Sequence, residues 1–179
     1  MAEAGEEARI SRRTAYRYFP SQEQLLSEAA LELLRPEIES SYGGATDPEM
    51  RVDALVRAMH ERTAEHEDLL RTIIRHTVQR AGEAERKGSV PLRGRRRIDW
   101  IEGALAPARR SLPSRAFERL VSAVSLCVGA EALIVLRDVR GLDPKAVSDV
   151  SRWAARALVR AALADAAQKP VKRKTSRKH

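Results

Sequence analysis

The spacing of apolar residues is the feature that most restricts how this chain can fold. Along nearly its whole length, apolar side chains recur three and four residues apart, which is the repeat of a helix that buries one face. No run alternates apolar and polar residues in the way that a strand or a hairpin requires. The sequence therefore predicts an all-α protein, and a length of 179 residues is enough for one sizeable core.

Capping and breaking residues divide this pattern into helices. A capping box at Ser21 with Gln24 begins one helix, which Pro36 ends or kinks. After a loop from Tyr42 to Ala45, a second box, from Thr46 to Glu49, begins the next helix. Later helices are predicted from about Asp68 to Arg80, around Trp100 with a bend at Pro107, from Ser114 to Arg137 with a stop at Gly141, and from Asp143-Pro144 onward. The stretch from Gly82 to Gly94 is predicted to be a loop.

Each predicted helix has its own apolar stripe, and these stripes predict the core. The residues expected to be buried include Val52, Leu55, Val56 and Met59 in the second helix, Leu69, Leu70, Ile73, Ile74 and Val78 in the third, and Val147, Val150, Ala154, Leu158 and Ala161 in the last.

The net charge of +8 is unevenly distributed. The segment from Lys169 to His179 holds six basic residues and no acidic one, so the rest of the chain is nearly balanced. This tail is expected to be disordered and solvated, with at most a non-specific attraction to phosphate. The charge alone is therefore weak support for a nucleic-acid partner.

Other features restrict the compartment. The most apolar run, from Leu120 to Leu136, is interrupted by Ser122, Ser125 and Glu131, and so falls short of the roughly 20 apolar residues of a membrane span. The first residues have no basic and apolar regions of the kind found in a signal peptide. A single cysteine, Cys127, excludes an intrachain disulfide. We expect a cytoplasmic protein with no membrane partner.

The residue patterns of common enzymes are missing from the sequence. The segment HERTA at His60 would need a second histidine at Ala64 to form a zinc-binding helix. There is no glycine-rich phosphate loop and no nucleophile elbow. Cys127 lies in an apolar run with no basic neighbour, which favours an inert buried thiol. The sequence thus predicts no catalytic residue, no metal site and no cofactor, and the protein is not expected to be an enzyme.

A basic and aromatic segment near the start of the chain, Ile10 to Leu26, reads ISRRTAYRYFPSQEQLL. If Ser11 caps a helix that ends near Phe19, the first turn of that helix presents unpaired backbone N–H groups beside basic and polar side chains. Such groups suit phosphate oxygens and base edges in a major groove, and tyrosine hydroxyls could add phosphate hydrogen bonds. The candidate DNA-binding residues of this helix are Ser11, Arg12, Arg13, Thr14, Tyr16 and Tyr18.

The stretch SRRTAYRYFPSQEQLL resembles the recognition helix and linker helix of TetR-type (TetR/AcrR) transcriptional regulators. The similarity is closest at Thr14, Tyr16, Tyr18 and Phe19, and the helical remainder is similar to the ligand-binding and dimerisation domain of that family in length and helix count. The resemblance implies a homodimeric repressor that binds a double-stranded DNA operator and responds to a small-molecule effector. It also implies a helix-turn-helix region and linker helix at 1–34 and a ligand-binding and dimerisation domain at 35–166. The basic end of the chain is then a tail at 167–179.

The chain departs from the family pattern in two places. Gln22 stands where many members have a lysine; its amide can still bind a phosphate, but it releases no counterion. Gln22 is therefore retained as a DNA-binding candidate. The first helix of the DNA-binding domain is also missing, because Ala2 to Ala8 can supply only the second. Either the true start lies upstream of Met1, which we favour, or DNA binding is impaired.

The larger domain is expected to dimerise and to bind the effector. The predicted helix from Ser114 to Arg137 is apolar around much of its surface, and the last helix carries small alanines that allow close helix packing. Burying both helices is easiest between two copies, although one chain could also turn these faces inward. The residues that could line a ligand pocket, or else belong to the ordinary core, are Met59, His76, Trp100, Cys127 and Glu131. A carboxylate on the apolar stripe needs a partner, for which Arg137 is a candidate.

Two further alternatives stay open. The cluster at Arg93, Arg95, Arg96 and Arg97 could pair with Asp99 and Glu102, be solvated, or make a second DNA contact. The alternative function is a helical dimerisation or small-molecule-binding module with impaired DNA binding.

Overall fold

The computed structural model describes residues 35–68, 70–72, 74–75, 78 and 95–168, together with residues 7, 9, 11, 13, 14 and 25 near the start of the chain. Every regular element among these residues is helical, so the predicted all-α fold is confirmed. The labelled α-helices are α1 (Arg35–Gly43), α2 (Pro48–Glu65), α3 (Arg96–Leu105), α4 (Ser114–Val124), α5 (Ala130–Ile134) and α6 (Pro144–Gln168). The described residues at 67–68, 70–72, 74–75 and 78 are also helical. Most of the predicted helix-turn-helix and residues 169–179 of the predicted tail lie outside the described residues. The predicted start of the tail at 167 was two residues early, because α6 continues to Gln168.

Helix α2 lies at the centre of the fold and packs against α1, α3 and α6. Its predicted stripe of Val52, Leu55, Val56 and Met59 is buried, as the periodicity requires. These side chains share one core with Ile38 and Tyr42 of α1, Trp100, Ile101 and Leu105 of α3, Phe117, Leu120 and Val124 of α4, and Ala155 and Val159 of α6.

The start of α2 differs by one residue from the prediction. Asp47, rather than Thr46, is the cap: its carboxylate accepts a hydrogen bond of 2.9 Å from the backbone N–H of Met50. Pro48 then occupies the first helical position, where its missing N–H costs nothing. The loop predicted from Tyr42 to Ala45 was wrong at its first two residues, because α1 includes Tyr42 and Gly43. The side chain of Tyr42 is buried in the core, and this packing favours a helical conformation at Tyr42 over the predicted loop.

The guanidinium of Arg51 joins α2 to the carboxyl ends of α1 and α3. It donates to the backbone carbonyls of Tyr42 (2.8 Å), Ala45 (2.9 Å), Gly103 (2.9 Å) and Ala104 (2.9 Å). Carbonyls at helix ends have no partner within their own helix, and they carry the negative end of the helix dipole. At the ends of both helices, the one guanidinium of Arg51 therefore pairs the free carbonyls and places a positive charge beside the negative end of the dipole.

A close approach between α1 and α3 lies beside Arg51. A Cβ atom added at Gly103 would be only 2.7 Å from the hydroxyl of Tyr42. Glycine at this position therefore sets how near the two helices can pack.

The predicted long helix from Ser114 to Arg137 is interrupted. Helix α4 gives way to a 3₁₀ turn at Ser125–Cys127, and Val128 is extended. Gly129 has φ 90° and ψ −178°, after which α5 begins and continues into a π-helical turn at Val135–Val139. We call Val128 and Gly129 the 128–129 break. The prediction of one continuous helix was wrong, because the spacing of apolar residues gives no sign of the positive φ that Gly129 adopts.

Helix α6 begins where the sequence predicted, after Gly141 and with Asp143 as its cap. The face that it buries differs from the predicted one. Gly141 has φ 69° and closes the π-helical turn, and Asp143 caps α6 by accepting from the N–H of Ala146 at 2.9 Å. The buried face consists of Val147, Ser151, Ala155, Val159 and Ala162. Of the predicted stripe, Val147 is buried, Ala154 and Leu158 are half-buried, and Val150 and Ala161 are exposed. Val78 was likewise predicted to be buried and is 69% exposed.

Candidate DNA-binding segment and effector core

The described residues of the N-terminal segment form a helix start. Thr14 donates its backbone N–H to the hydroxyl of Ser11 at 3.1 Å, and Arg13 and Thr14 are helical. The cap predicted at Ser11 is therefore confirmed. Arg13 is exposed, and Arg9 has φ 52°, so a turn precedes the cap. The other DNA-binding candidates, Arg12, Tyr16, Tyr18 and Gln22, lie outside the described residues.

The structure brings some of the candidate effector residues together. Met59 and Trp100 lie in the same apolar core, and the half-buried Cys127 packs against it. The indole N–H of Trp100 is buried and has no hydrogen-bond partner among the described residues. Burial raises the pKa of the Cys127 thiol, which agrees with the predicted inert thiol. His76 lies outside the described residues.

Glu131 does not join this core. Its side chain is exposed and forms an ion pair with Arg97, with 2.8 Å between Oε2 and Nη1. The predicted partner, Arg137, instead pairs with Glu67 at 2.8 Å. Arg137 was predicted because it is only six residues from Glu131 in the sequence. In the structure, the break directs the Glu131 carboxylate toward α3.

A residue that sequence reasoning did not select, His60, connects α2 to the break. Its Nε2 lies 2.9 Å from the carbonyl of Cys127, so Nε2 carries the proton and donates it. Burial lowers the pKa of His60, although the hydrogen bond to Cys127 acts in the opposite direction. Its Nδ1 is buried without a partner among the described residues. Its position four residues after Val56, on the buried side of α2, was the available signal.

Ion pairs join the π-helical turn to the residues that follow α2. Arg71 makes a bidentate contact with Asp138, with both N···O distances at 2.7 Å, and a further contact of 2.8 Å with Glu67. The guanidinium of Arg71 lowers the pKa of Asp138. An open depression lined by Ala64 to Asp68 lies at this place, and none of the predicted effector residues lines it.

The arginine cluster at 93–97 forms ion pairs, which is one of the three alternatives left open by the sequence. Arg95 contacts Asp99 at 3.1 Å and Glu102 at 2.7 Å. Arg97 pairs with Glu131 and donates to the carbonyl of Val128 at the break. Arg93 lies outside the described residues. Within the described part of the cluster, ion pairs therefore account for Arg95 and Arg97.

Large apolar side chains on several elements are exposed. On α6 these are Trp153, at 63% exposure, and Val150, at 42%. Other large apolar side chains that are exposed are those of Met50, Leu126, Val135 and Val139. An exposed tryptophan beside a second apolar residue is unusual on a protein surface and is typical of an interface.

In the ranges that the structure describes, no group of three or more histidine, cysteine, aspartate or glutamate side chains could hold a metal ion. No single described helix is long and apolar enough to cross a membrane; the bent pair formed by residues 114–127 and 130–139 passes on length and composition. No protein-family model, curated protein or solved structure matches the chain.

Proposed function

We propose that the chain is a ligand-responsive, TetR-type DNA-binding transcriptional regulator that acts as a homodimeric repressor in the cytoplasm. The observation that carries the proposal is the capped helix start at Ser11. It puts an exposed arginine, Arg13, into the first turn of a helix whose sequence is basic and aromatic. The first turn of a helix is where backbone N–H groups and side chains contact phosphates and base edges.

The helical body supplies two further supports. The exposed pair of Trp153 and Val150 on α6 gives a second copy an apolar surface to bury. The buried Nδ1 of His60 and the buried indole N–H of Trp100 are an acceptor and a donor without partners among the described residues. Buried polar atoms are seldom left unpaired, and a small polar effector is one way of pairing such atoms.

Operator binding is the decisive experiment. The chain would be used to select duplexes from a randomised pool, and its affinity for them would be measured by anisotropy titration. We expect Arg12→Ala to weaken binding to the selected duplex by roughly 10- to 100-fold, because a good base contact is worth about 1–3 kcal/mol. Tyr16→Phe should weaken it less, through loss of one phosphate hydrogen bond.

Arg95→Ala is the matched control, since Arg95 is equally cationic but pairs with Asp99 and Glu102 of α3. It should leave the affinity unchanged. If the chain selects no sequence, the regulator proposal fails, and the dimerisation or small-molecule-binding module takes its place.

Dimerisation can be tested separately through α6. Trp153→Glu should raise the dimer dissociation constant by about 30-fold, since a buried interface tryptophan contributes roughly 2 kcal/mol or more. Sedimentation equilibrium would measure the change. Met50→Glu, on a 60% exposed apolar residue of α2, is the control and should have no effect. Equal dissociation constants for the two variants would show that the copies do not associate through α6.

A further inference from the structure

His60 is the most deeply buried ionisable side chain of α2, with only 4% of its surface exposed. It lies on the inward face of that helix, one turn after Val56 and next to Met59, and both of these residues belong to the core. Its Nε2 donates at 2.9 Å to the carbonyl of Cys127, in the 3₁₀ turn at Ser125–Cys127. The imidazole therefore joins the central helix of the fold to this turn.

The other ring nitrogen, Nδ1, is buried and has no partner among the described residues. Because Nε2 carries the proton of the neutral ring, Nδ1 is an acceptor. Protonation would add a positive charge and an N–H donor at a place where no acceptor faces it. A buried charge that gains no hydrogen bond in exchange for its hydration is far more costly than an unpaired acceptor. The surroundings of His60 therefore favour the neutral ring.

The ionisable groups on the elements around His60 do not offset such a charge, because in the described part of the chain they are paired, neutral or exposed. Burial raises the pKa of the Cys127 thiol, so this group is neutral at pH 7 and below. Arg57 and Glu61, the neighbours of His60 on α2, are exposed. The other groups, on α1, α2, α3, α5 and α6, form the ion pairs Glu37–Arg62, Arg97–Glu131, Asp53–Arg152 and Asp149–Arg152.

We propose that His60 is an acid-sensitive switch in the fold: the neutral ring holds α2 to the 3₁₀ turn, and protonation of the ring destabilises the folded chain. The switch needs neither DNA nor an effector, so it stands or falls separately from the proposed regulator function.

The direction of the pH dependence follows from the two states of the chain. Burial lowers the pKa of His60 in the folded chain, and the hydrogen bond to the Cys127 carbonyl opposes this effect without cancelling it. The unfolded chain therefore binds the proton more readily, with a histidine pKa of about 6.5. The stability that the neutral ring contributes is fully present above that pH and is lost as the pH falls below it.

Urea unfolding of the full chain, followed by circular dichroism, tests the switch at about pH 7.5 and about pH 5.5. The folding equilibrium constant should be about tenfold smaller at the lower pH, since the unfolded chain takes up one more proton there. In His60→Gln, the side-chain amide can still donate to the Cys127 carbonyl but does not titrate, so most of this tenfold fall should disappear. His66→Gln, at the exposed C-cap of the same helix, is the matched control and should retain the fall.

The proposal fails if the native chain is equally stable at both pH values, or if His60→Gln loses stability as steeply as the native chain. It also fails if His66→Gln removes the pH dependence to the same extent as His60→Gln. Should His60→Gln not fold, an NMR titration of the native chain decides. The ring protons of His60 must then titrate at a lower pH in the folded chain than in the chain unfolded by urea, and an equal or higher midpoint overturns the proposal.

Discussion

Replacing Arg51 with methionine should lower the free energy of unfolding by about 4 kcal/mol, which is a large share of the stability of a domain of this size. The methionine keeps much of the apolar volume but leaves the carbonyls of Tyr42, Ala45, Gly103 and Ala104 without their donor. Each unpaired buried acceptor costs about 1–3 kcal/mol, and partial access to water reduces the total. The guanidinium also lies 5.0 Å from the ring centre of Tyr42, and this cation–π contact would be lost.

Urea unfolding followed by circular dichroism would measure the effect. Arg57→Met, an exposed arginine on the same helix, is the control and should change stability by less than about 0.5 kcal/mol. Arg51→Lys should recover only part of the loss, because one ammonium group cannot reach four carbonyls at two helix ends. A loss below about 1 kcal/mol for Arg51→Met would mean that water replaces the guanidinium without penalty.

Replacing Asp53 with asparagine should destabilise the protein by about 3 kcal/mol. The Asp53 side chain is only 12% exposed and accepts two hydrogen bonds from Arg152, at 3.1 and 2.7 Å. Arg156 approaches the same carboxylate at 3.1 Å. The substitution leaves two arginines facing a neutral amide between α2 and α6, and an uncompensated charge is costly where water is scarce. Both arginines are about one-third exposed, so we place the expected loss at the lower end of the range for buried pairs.

The same unfolding experiment includes an internal control. Asp149 lies 3.7 Å from Arg152 but is 57% exposed, so Asp149→Asn should cost less than about 1 kcal/mol. A triple variant, Asp53→Leu with Arg152→Met and Arg156→Met, should regain most of the stability, because no buried charge then lacks a partner. If Asp53→Asn and Asp149→Asn have equal effects, the ion pairs between α2 and α6 do not stabilise the core.

Local signals predicted the helix ends well, because a cap depends on a few neighbouring residues. Ser11 and Asp143 cap the helices that they were expected to cap, and Gly141 lies where helical structure was expected to stop. The one-residue difference between Thr46 and Asp47 arises because either side chain can cap a helix, and in the structure it is Asp47 that accepts from the N–H of Met50, with Pro48 following it.

Features that depend on distant residues were not predictable in this way. The 128–129 break has no local signal beyond one glycine, because its carbonyls are satisfied by His60 and Arg97, which are far away in sequence. Glu131 was assigned to the nearby Arg137 for the same reason. The buried face of α6 was misjudged because its alanines are too small and too numerous to mark one face, and the packing of α6 against α2 selects it.

The candidate site was predicted unevenly. The start of the candidate DNA-binding helix was predicted from Ser11, and Met59 and Trp100 do share one core. The role of His60 was missed, because a histidine beside an apolar stripe is usually an ordinary core residue. Its partner, a carbonyl freed by a break in another helix, exists only in the folded molecule.

The contact between Gly103 and Tyr42 also bears on which substitutions the junction of α1 and α3 can accept. An alanine at Gly103 would place its methyl group 2.7 Å from the Tyr42 hydroxyl, so the ring would have to move away from α3. Because the same ring lies against the Arg51 guanidinium, that movement would disturb the group that satisfies the carbonyls at two helix ends.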